Sequence, residues 1–411
     1  MKRWIRVASL TVLCFLLLTL AGNAAPKTKI RVVWMDYDAS ENTVYQTLEE
    51  EFEKENPDID VETVILPWNE GHDRLVTWIA GRHAPDIANI GTRWALEFHE
   101  MGALEPLERW LPQKFIKGFY PGALEARLEG KLYGLPVAMS ARTLFYRSDL
   151  IPKPPATWSE LLKVAKDVTS KHDIYGIGMS GKKTAEVCEY AYYIFGNEGA
   201  FFETNPDGTY GKPAFNNKAG AEALQFMVDL VHKHKVTQPN VGEHDRGSLQ
   251  DLFIAGDLAM VETGPWFASM LEERAPNLKW DVAPMPCNDG KTQSTLMVTD
   301  SIVMFNTSKN KQAAAKYLEF IFRDKYRLAF NKAFGMLPVR YSVGQMDYFQ
   351  TPYYKVYVDQ LPTAQGWPLV SEWARVEDSL MDAVTAALLK RKTPQQALDE
   401  VAKQAEVWMR H

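Results

Sequence analysis

From residue 30 onward, short apolar runs alternate with longer segments whose apolar residues recur at helical spacing. Ile30-Arg31-Val32-Val33-Trp34 reads as a strand. Val44, Leu48 and Phe52 then fall on one helical face, with Glu49, Glu50, Glu51 and Glu53 outside it, until Asn56-Pro57 stops the helix. Ile59, Val61, Thr63 and Ile65 alternate as a half-buried strand does, and Leu75, Val76 and Ile79 mark a second helix ending near Gly81. Asp86 to Ile90 is a further strand. Strand and helix in strict alternation predict a largely parallel sheet covered by helices, an α/β fold.

The same grammar resumes after Leu135-Pro136. Helices are predicted at Trp158 to Thr169, Thr184 to Phe195 and Ala219 to His234, with a polar turn at Asn205 to Gly211. Strands follow near Asp281 to Pro286 and at Ile302 to Phe305. The chain ends in helices: Val376, Leu380, Val384 and Leu388 form one stripe, and Pro394 opens the last element. No internal repeat or flexible linker separates the parts, so ordered chain must join any two domains. The length of 411 residues suggests about two.

The first 25 residues change the picture of where the chain works. Lys2, Arg3 and Arg6 precede an apolar stretch from Leu10 to Leu20, and Ala21-Gly22-Asn23-Ala24-Ala25 supplies small residues before Pro26. That is the layout of a cleavable secretory signal, with an apolar run short for a membrane span. Cys14 follows Leu13 and Asn23 stands where a lipid-anchored cysteine would be expected, so the expectation is a free periplasmic protein, not itself membrane-spanning. Cleavage makes the formal net charge of −6 three units more negative. Such acidity speaks against nucleic-acid binding, which needs clustered Lys and Arg. Cys188 and Cys287 survive processing; one disulfide is possible in an oxidising compartment, but two distant cysteines do not establish it.

Seven motifs in order carry a resemblance. They are Ala84-Pro85-Asp86-Ile87 with Met101 to Leu107; Gly130-Lys131-Leu132-Tyr133-Gly134-Leu135-Pro136; Leu144 to Leu150; Pro154-Pro155-Ala156-Thr157-Trp158; Phe253 to Met260 closing on Gly264-Pro265-Trp266; Gly335 to Arg340; and Thr393 to Leu398. From about residue 28 to its end the chain resembles the family 1 extracellular solute-binding proteins, the maltose- and trehalose-type sugar-binding components of ABC importers. The resemblance implies a two-lobed periplasmic binding protein fold of the type II-like kind. It places the signal at 1–25, the N-terminal lobe at 26–138 plus 300–340, and the C-terminal lobe at 139–299 plus 341–411. Crossings are expected near Val137 to Thr143, near Asp300 and after Arg340. It further implies a monomer that binds a carbohydrate reversibly in the interlobe cleft, hands it to membrane permease subunits, and needs neither cofactor nor metal.

A sugar site needs aromatic plates for C–H faces and paired polar groups for hydroxyls, because an unpaired buried polar group costs roughly 1–3 kcal/mol. In parallel α/β sheets ligands lie beyond the carboxyl ends of strands. Trp34, Trp68, Trp94, Trp266, Trp367 and Trp373 all sit at element ends, though any one of them taken alone is better explained as core than as a ligand plate. Trp266 ranks first, then Trp68 and Trp94, with Trp367 also proposed as a plate. For the polar rim the candidates are Asp36, Asp38, Arg93, Glu186, Asp300 and Arg340, each set against a surface charge or helix cap. Maltose-type relatives often have a carboxylate where Arg93 stands, and some have an acid where Ser140 stands, so maltose itself is in doubt.

Rival readings carry less. Gly176, Gly178 and Gly181 match a dinucleotide fingerprint, but no opening βαβ unit surrounds them. His232 and His234 are two apart and point to different sides of a helix. No nucleophile elbow or zinc-protease motif occurs, so no enzyme is expected. A binding protein for a non-sugar solute, such as a glycerol-phosphate compound met by Arg93 or Arg340, is the closer alternative. Tyr192-Tyr193 and Tyr353-Tyr354 prompt a ferric-iron reading that the surrounding motifs do not match.

Overall fold

A computed structural model describes residues 27–36, 42–183, 187, 189–205 and 210–409. Two sheets organise it. The first has five strands, β1 (Thr28–Asp36), β2 (Ile59–Pro67), β3 (Ile87–Gly91), β4 (Gly134–Ala141) and β8 (Met297–Met304), in the order β2-β1-β3-β8-β4. The second has three, β5 (Thr143–Arg147), β6 (Met260–Thr263) and β7 (Trp280–Ala283), with β5 in the centre.

β2, β1 and β3 are parallel, as their helical crossovers require. β8 runs antiparallel to both β3 and β4, so the sheet is mixed where the pattern predicted it largely parallel. The reason is topological: β8 enters from the second sheet, at the edge where β4 leaves. The second sheet is wholly antiparallel.

The strands are buried on both faces of the first sheet. Ile30, Val32 and Trp34 pack with Leu318, Phe320 and Phe330 on one side, while Val33, Met35 and Ile90 pack with Trp94 and Phe98 on the other. This is why β1 reads as a near-continuous apolar run. A separate core gathers Met260, Tyr190, Leu224 and Trp373 with the stripe Val376, Leu380, Val384 and Leu388, all four of which are fully buried. The helix Trp158–His172 begins where the sequence placed it, with Thr157 accepting a hydrogen bond from the Glu160 amide at 3.3 Å.

Three crossings join the lobes. Only Arg142 separates β4 from β5, so the first crossing is a direct step between sheets. The second enters β8, where Met297 pairs with Ala141. The third runs beside the second: Gln365 donates its amide to the Thr295 carbonyl at 2.9 Å and accepts the Met297 amide at 2.9 Å. After Arg340, Val343 and Phe349 still pack on the first core. Among the described residues no helix is long and apolar enough to cross a membrane.

Candidate functional site

β1, β2 and β3 all end at one edge of the first sheet. Asp36 closes β1 in register with Pro67, and Trp68 opens the next helix. Gly91 ends β3 and turns into Thr92-Arg93-Trp94. This brings together Asp36, Trp68, Arg93 and Trp94. Trp68 and Trp94 tilt against each other with ring centroids 5.7 Å apart. Trp94 is buried and Trp68 half-buried, so Trp68 holds the accessible ring. His72 sits 5.2 Å from Trp94, and its Nε2 lies 2.7 Å from Glu97. Burial opposes protonation of His72, but the bond to Glu97 prevails and holds its pKa above the ordinary value.

Beneath this edge, Thr92, Thr299 and Ser301 form a buried hydroxyl chain, with spacings of 2.9 Å from Thr299 to Thr92 and 2.8 Å from Thr92 to Ser301. Thr299 also meets the Glu125 carboxyl. Burial, reinforced by the neighbouring Asp300 charge and opposed by the Thr299 bond, pushes Glu125 up to about 7. Asp300 is itself buried at a bulge in β8, paired in register with Gly91 and Ala138.

Trp266 lies between lobes. It packs against the first-lobe core and against the second-sheet cluster of Phe145, Phe253 and Phe267. The guanidinium carbons of Arg142 and Arg246 lie 4.9 and 5.3 Å from its ring centroid. Gly264 makes room for the ring: a Cβ there would fall 2.0 Å from Cζ3 of Trp266. Beside it in the second lobe, Glu262 and Tyr193 are buried, and burial drives both pKa values well above ordinary, Glu189 adding its charge.

Trp367 and Trp373 tilt against each other with ring centroids 5.3 Å apart, and Phe201 lies 5.8 and 5.1 Å from them. Both are buried in the second-lobe core, as Trp34 is in the first, where it stacks on Tyr45 at 4.7 Å. Arg340 is placed away from the other candidates, over the rings of Phe115 and Phe119 at 4.9 and 4.8 Å. Asp38, Glu186 and Cys188 lie outside the described residues, while Cys287 is buried with a free thiol.

The sequence reading missed Glu125, Arg142, Arg246, Glu262 and Glu377. Arg142 could have been found from its place at the first crossing; Glu377 was hidden inside an apolar helical stripe. A cavity of about 440 Å³ opens between the lobes, with His72, Glu97, Glu100 and Met101 on one wall and Ser371, Glu372, Ala374 and Arg375 on the other. A further cavity of about 470 Å³ lies under the helix Trp158–His172, far from these groups. The fingerprint glycines do packing work: a Cβ on Gly176 would meet the Ala165 carbonyl oxygen at 2.5 Å, and one on Gly181 the Val241 carbonyl oxygen at 2.8 Å. Among the described residues no three His, Cys, Asp or Glu side chains are grouped to hold a metal ion.

Two α/β lobes joined by three crossings, with aromatic rings and buried polar groups gathered where they meet, define a two-lobed solute-binding protein. The chain belongs to the bacterial extracellular solute-binding proteins, whose family model matches residues 47–354. A binding protein of Brucella abortus (strain 2308) is 33% identical over 393 residues, spanning 94% of each chain. The arabinooligosaccharide-binding protein of Bacillus subtilis (strain 168) is 25% identical over 441 residues, spanning 96% of this chain and 98% of its own. Among solved structures, the maltose-bound MalE3 of T. maritima superposes with a TM-score of 0.82 at 26% identity, over 93% of this chain and all of that one.

Proposed function

We propose that the chain is the carbohydrate-binding component of an ABC importer, working in the periplasm and delivering its sugar to membrane permease subunits without transforming it. The observation that carries this is Trp266, held between the two lobe cores by a glycine notch, with the Trp68–Trp94 pair at the edge of the first sheet. Aromatic rings of this kind fit the apolar face of a sugar, and the Thr92–Thr299–Ser301 chain with Asp300 and Glu125 offers donors and acceptors for its hydroxyls. The sugar-binding names of the Bacillus and T. maritima relatives support the same substrate class.

In this reading the first lobe comprises β1 to β4 and β8 with the helices packed on them, including the stretch from Lys311 to Tyr357, and the second comprises β5 to β7 with the helices between Trp158 and Arg274 and the last two helices. Ligand bound better by the closed form than the open one drives hinge closure. The test is thermal shift and tryptophan fluorescence against arabinotriose, maltotriose, glycerol 3-phosphate and amino acids. Saturable stabilisation by a neutral sugar, lost in a folded Trp266→Ala variant, supports the proposal. A response confined to glycerol 3-phosphate or amino acids would sink the carbohydrate assignment.

A further inference from the structure

One charged pair joins the two walls of the cleft. Nε of Arg93, on the turn after β3, lies 3.4 Å from Oε2 of Glu377 in the helix Trp373–Leu388, and their side chains are only 15% and 10% exposed. Arg93 is also held by its own lobe. Its guanidinium folds back over the neighbouring Trp94 ring, 5.1 Å from the centroid, and fills the notch left by Gly91, where a Cβ would stand 2.7 Å from Nη1. Close by, Ser371 on the segment leading into the same helix donates a hydrogen bond to Glu100 of the first lobe. Leu369 packs on the apolar cluster that contains Trp94.

We propose that Arg93 and Glu377 form an interlobe latch, made only when the cleft closes, with Glu377 acting as a positioning residue for the Arg93–Trp94 edge. This rests on the reading of the chain as a cleft-closing binding protein. With the lobes apart, each charge faces water. With them together, the low exposure of both side chains strengthens their attraction. The pair thus discriminates between the two states, the condition for shifting a population. It also makes closure sensitive to ionic strength even when the ligand is uncharged, because the latch competes with screening by salt.

The experiment compares wild type, Arg93→Gln, Glu377→Gln and the double variant by small-angle scattering of the ligand-free chain, at about 0.05 M and about 1 M NaCl. Far-ultraviolet circular dichroism melts confirm that each variant is folded. The latch predicts that each single variant has a larger radius of gyration than wild type in low salt. Wild type should approach the single variants in high salt, and the double variant should be less expanded than the two single effects combined. Titration with maltotriose and arabinotriose should show about tenfold weaker binding in each single variant, with a wild-type salt dependence that the double variant lacks. Equal radii in all four proteins at both salt concentrations overturn the latch. Failure of every sugar to bind leaves the scattering result standing and counts against the carbohydrate reading alone.

Discussion

Gly335 and the backbone of Trp266 are in contact so close that no side chain fits between them. A Cβ on Gly335 would lie 2.4 Å from Cα of Trp266, and Gly335 ends its helix at φ +61°. The Gly335-to-Arg340 motif and the Gly264-Pro265-Trp266 motif are thus two halves of one arrangement, each setting the position of the same tryptophan. Changing Gly335 to Ala adds left-handed strain of about 1–2 kcal/mol and a clash with backbone that cannot yield cheaply. The Gly335→Ala variant should lose at least about 2 kcal/mol of stability in urea unfolding and shift the emission maximum of Trp266. An unchanged midpoint and spectrum would mean that the approach relaxes without cost.

Glu125 gives the protein a pH dependence of definite sign. Its pKa of about 7 in the folded chain stands above the ordinary value of 4.5, mainly because burial disfavours the charge. A raised carboxyl pKa means the folded state binds the proton more tightly. The contribution to stability is fully present below about 4.5 and is lost as the pH rises through about 7. Glu125→Gln, which keeps the shape without the titration, should flatten this part of the stability profile by on the order of 3 kcal/mol. The check is urea unfolding of both proteins from pH 4 to pH 8; parallel curves across that range would remove Glu125 as the cause.

The periodicity of the chain revealed the lobes because burial on two faces leaves a direct mark in sequence: in β1 every residue from Ile30 to Met35 except Arg31 is apolar, and the apolar residues from Val376 to Leu388 recur at helical spacing. Two of the seven motifs have a steric reason of their own, since at Gly264 a side chain would meet the Trp266 ring and at Gly335 the Trp266 backbone. The meeting of Arg93 with Glu377 left no such mark. Its partners are separated by most of the chain, and Glu377 sits among Val376 and Leu380, where an acid reads as solvated. Nor can spacing tell a buried tryptophan from an accessible one at an element end. Trp34 and Trp68 occupy similar places in the pattern, yet Trp34 is stacked inside on Tyr45 while Trp68 remains half-buried at the edge.

Removing the Thr157 hydroxyl tests how the second lobe is stabilised away from the cleft. Its oxygen accepts the Glu160 amide at the start of the helix Trp158–His172 and lies 3.1 Å from Ser159. Thr157→Ala should cost about 1 kcal/mol, the usual worth of such a cap. Sugar affinity should be unaltered, since the cap touches no candidate group. Isothermal titration of the folded variant would expose any long-range coupling as a changed dissociation constant.

Trp68 and Trp94 touch, but they should respond to truncation in opposite ways. Trp94 is 4% exposed and packed in the core on that side of the first sheet, with His72 and Phe98 beside it. Trp94→Ala therefore removes a large buried side chain, and about 3–5 kcal/mol of stability should go with it. Trp68 begins its helix half-buried, with part of its ring available to a ligand. Trp68→Ala should cost under about 2 kcal/mol in unfolding, because much of that surface is never withdrawn from water. If the exposed ring is a sugar plate, the same change should weaken sugar binding at least about tenfold, the equivalent of about 1.4 kcal/mol. Urea unfolding and calorimetric titration of the two variants separate these effects. A Trp68→Ala protein that binds its sugar as tightly as wild type would remove this tryptophan from the site and leave Trp266 as the plate to test.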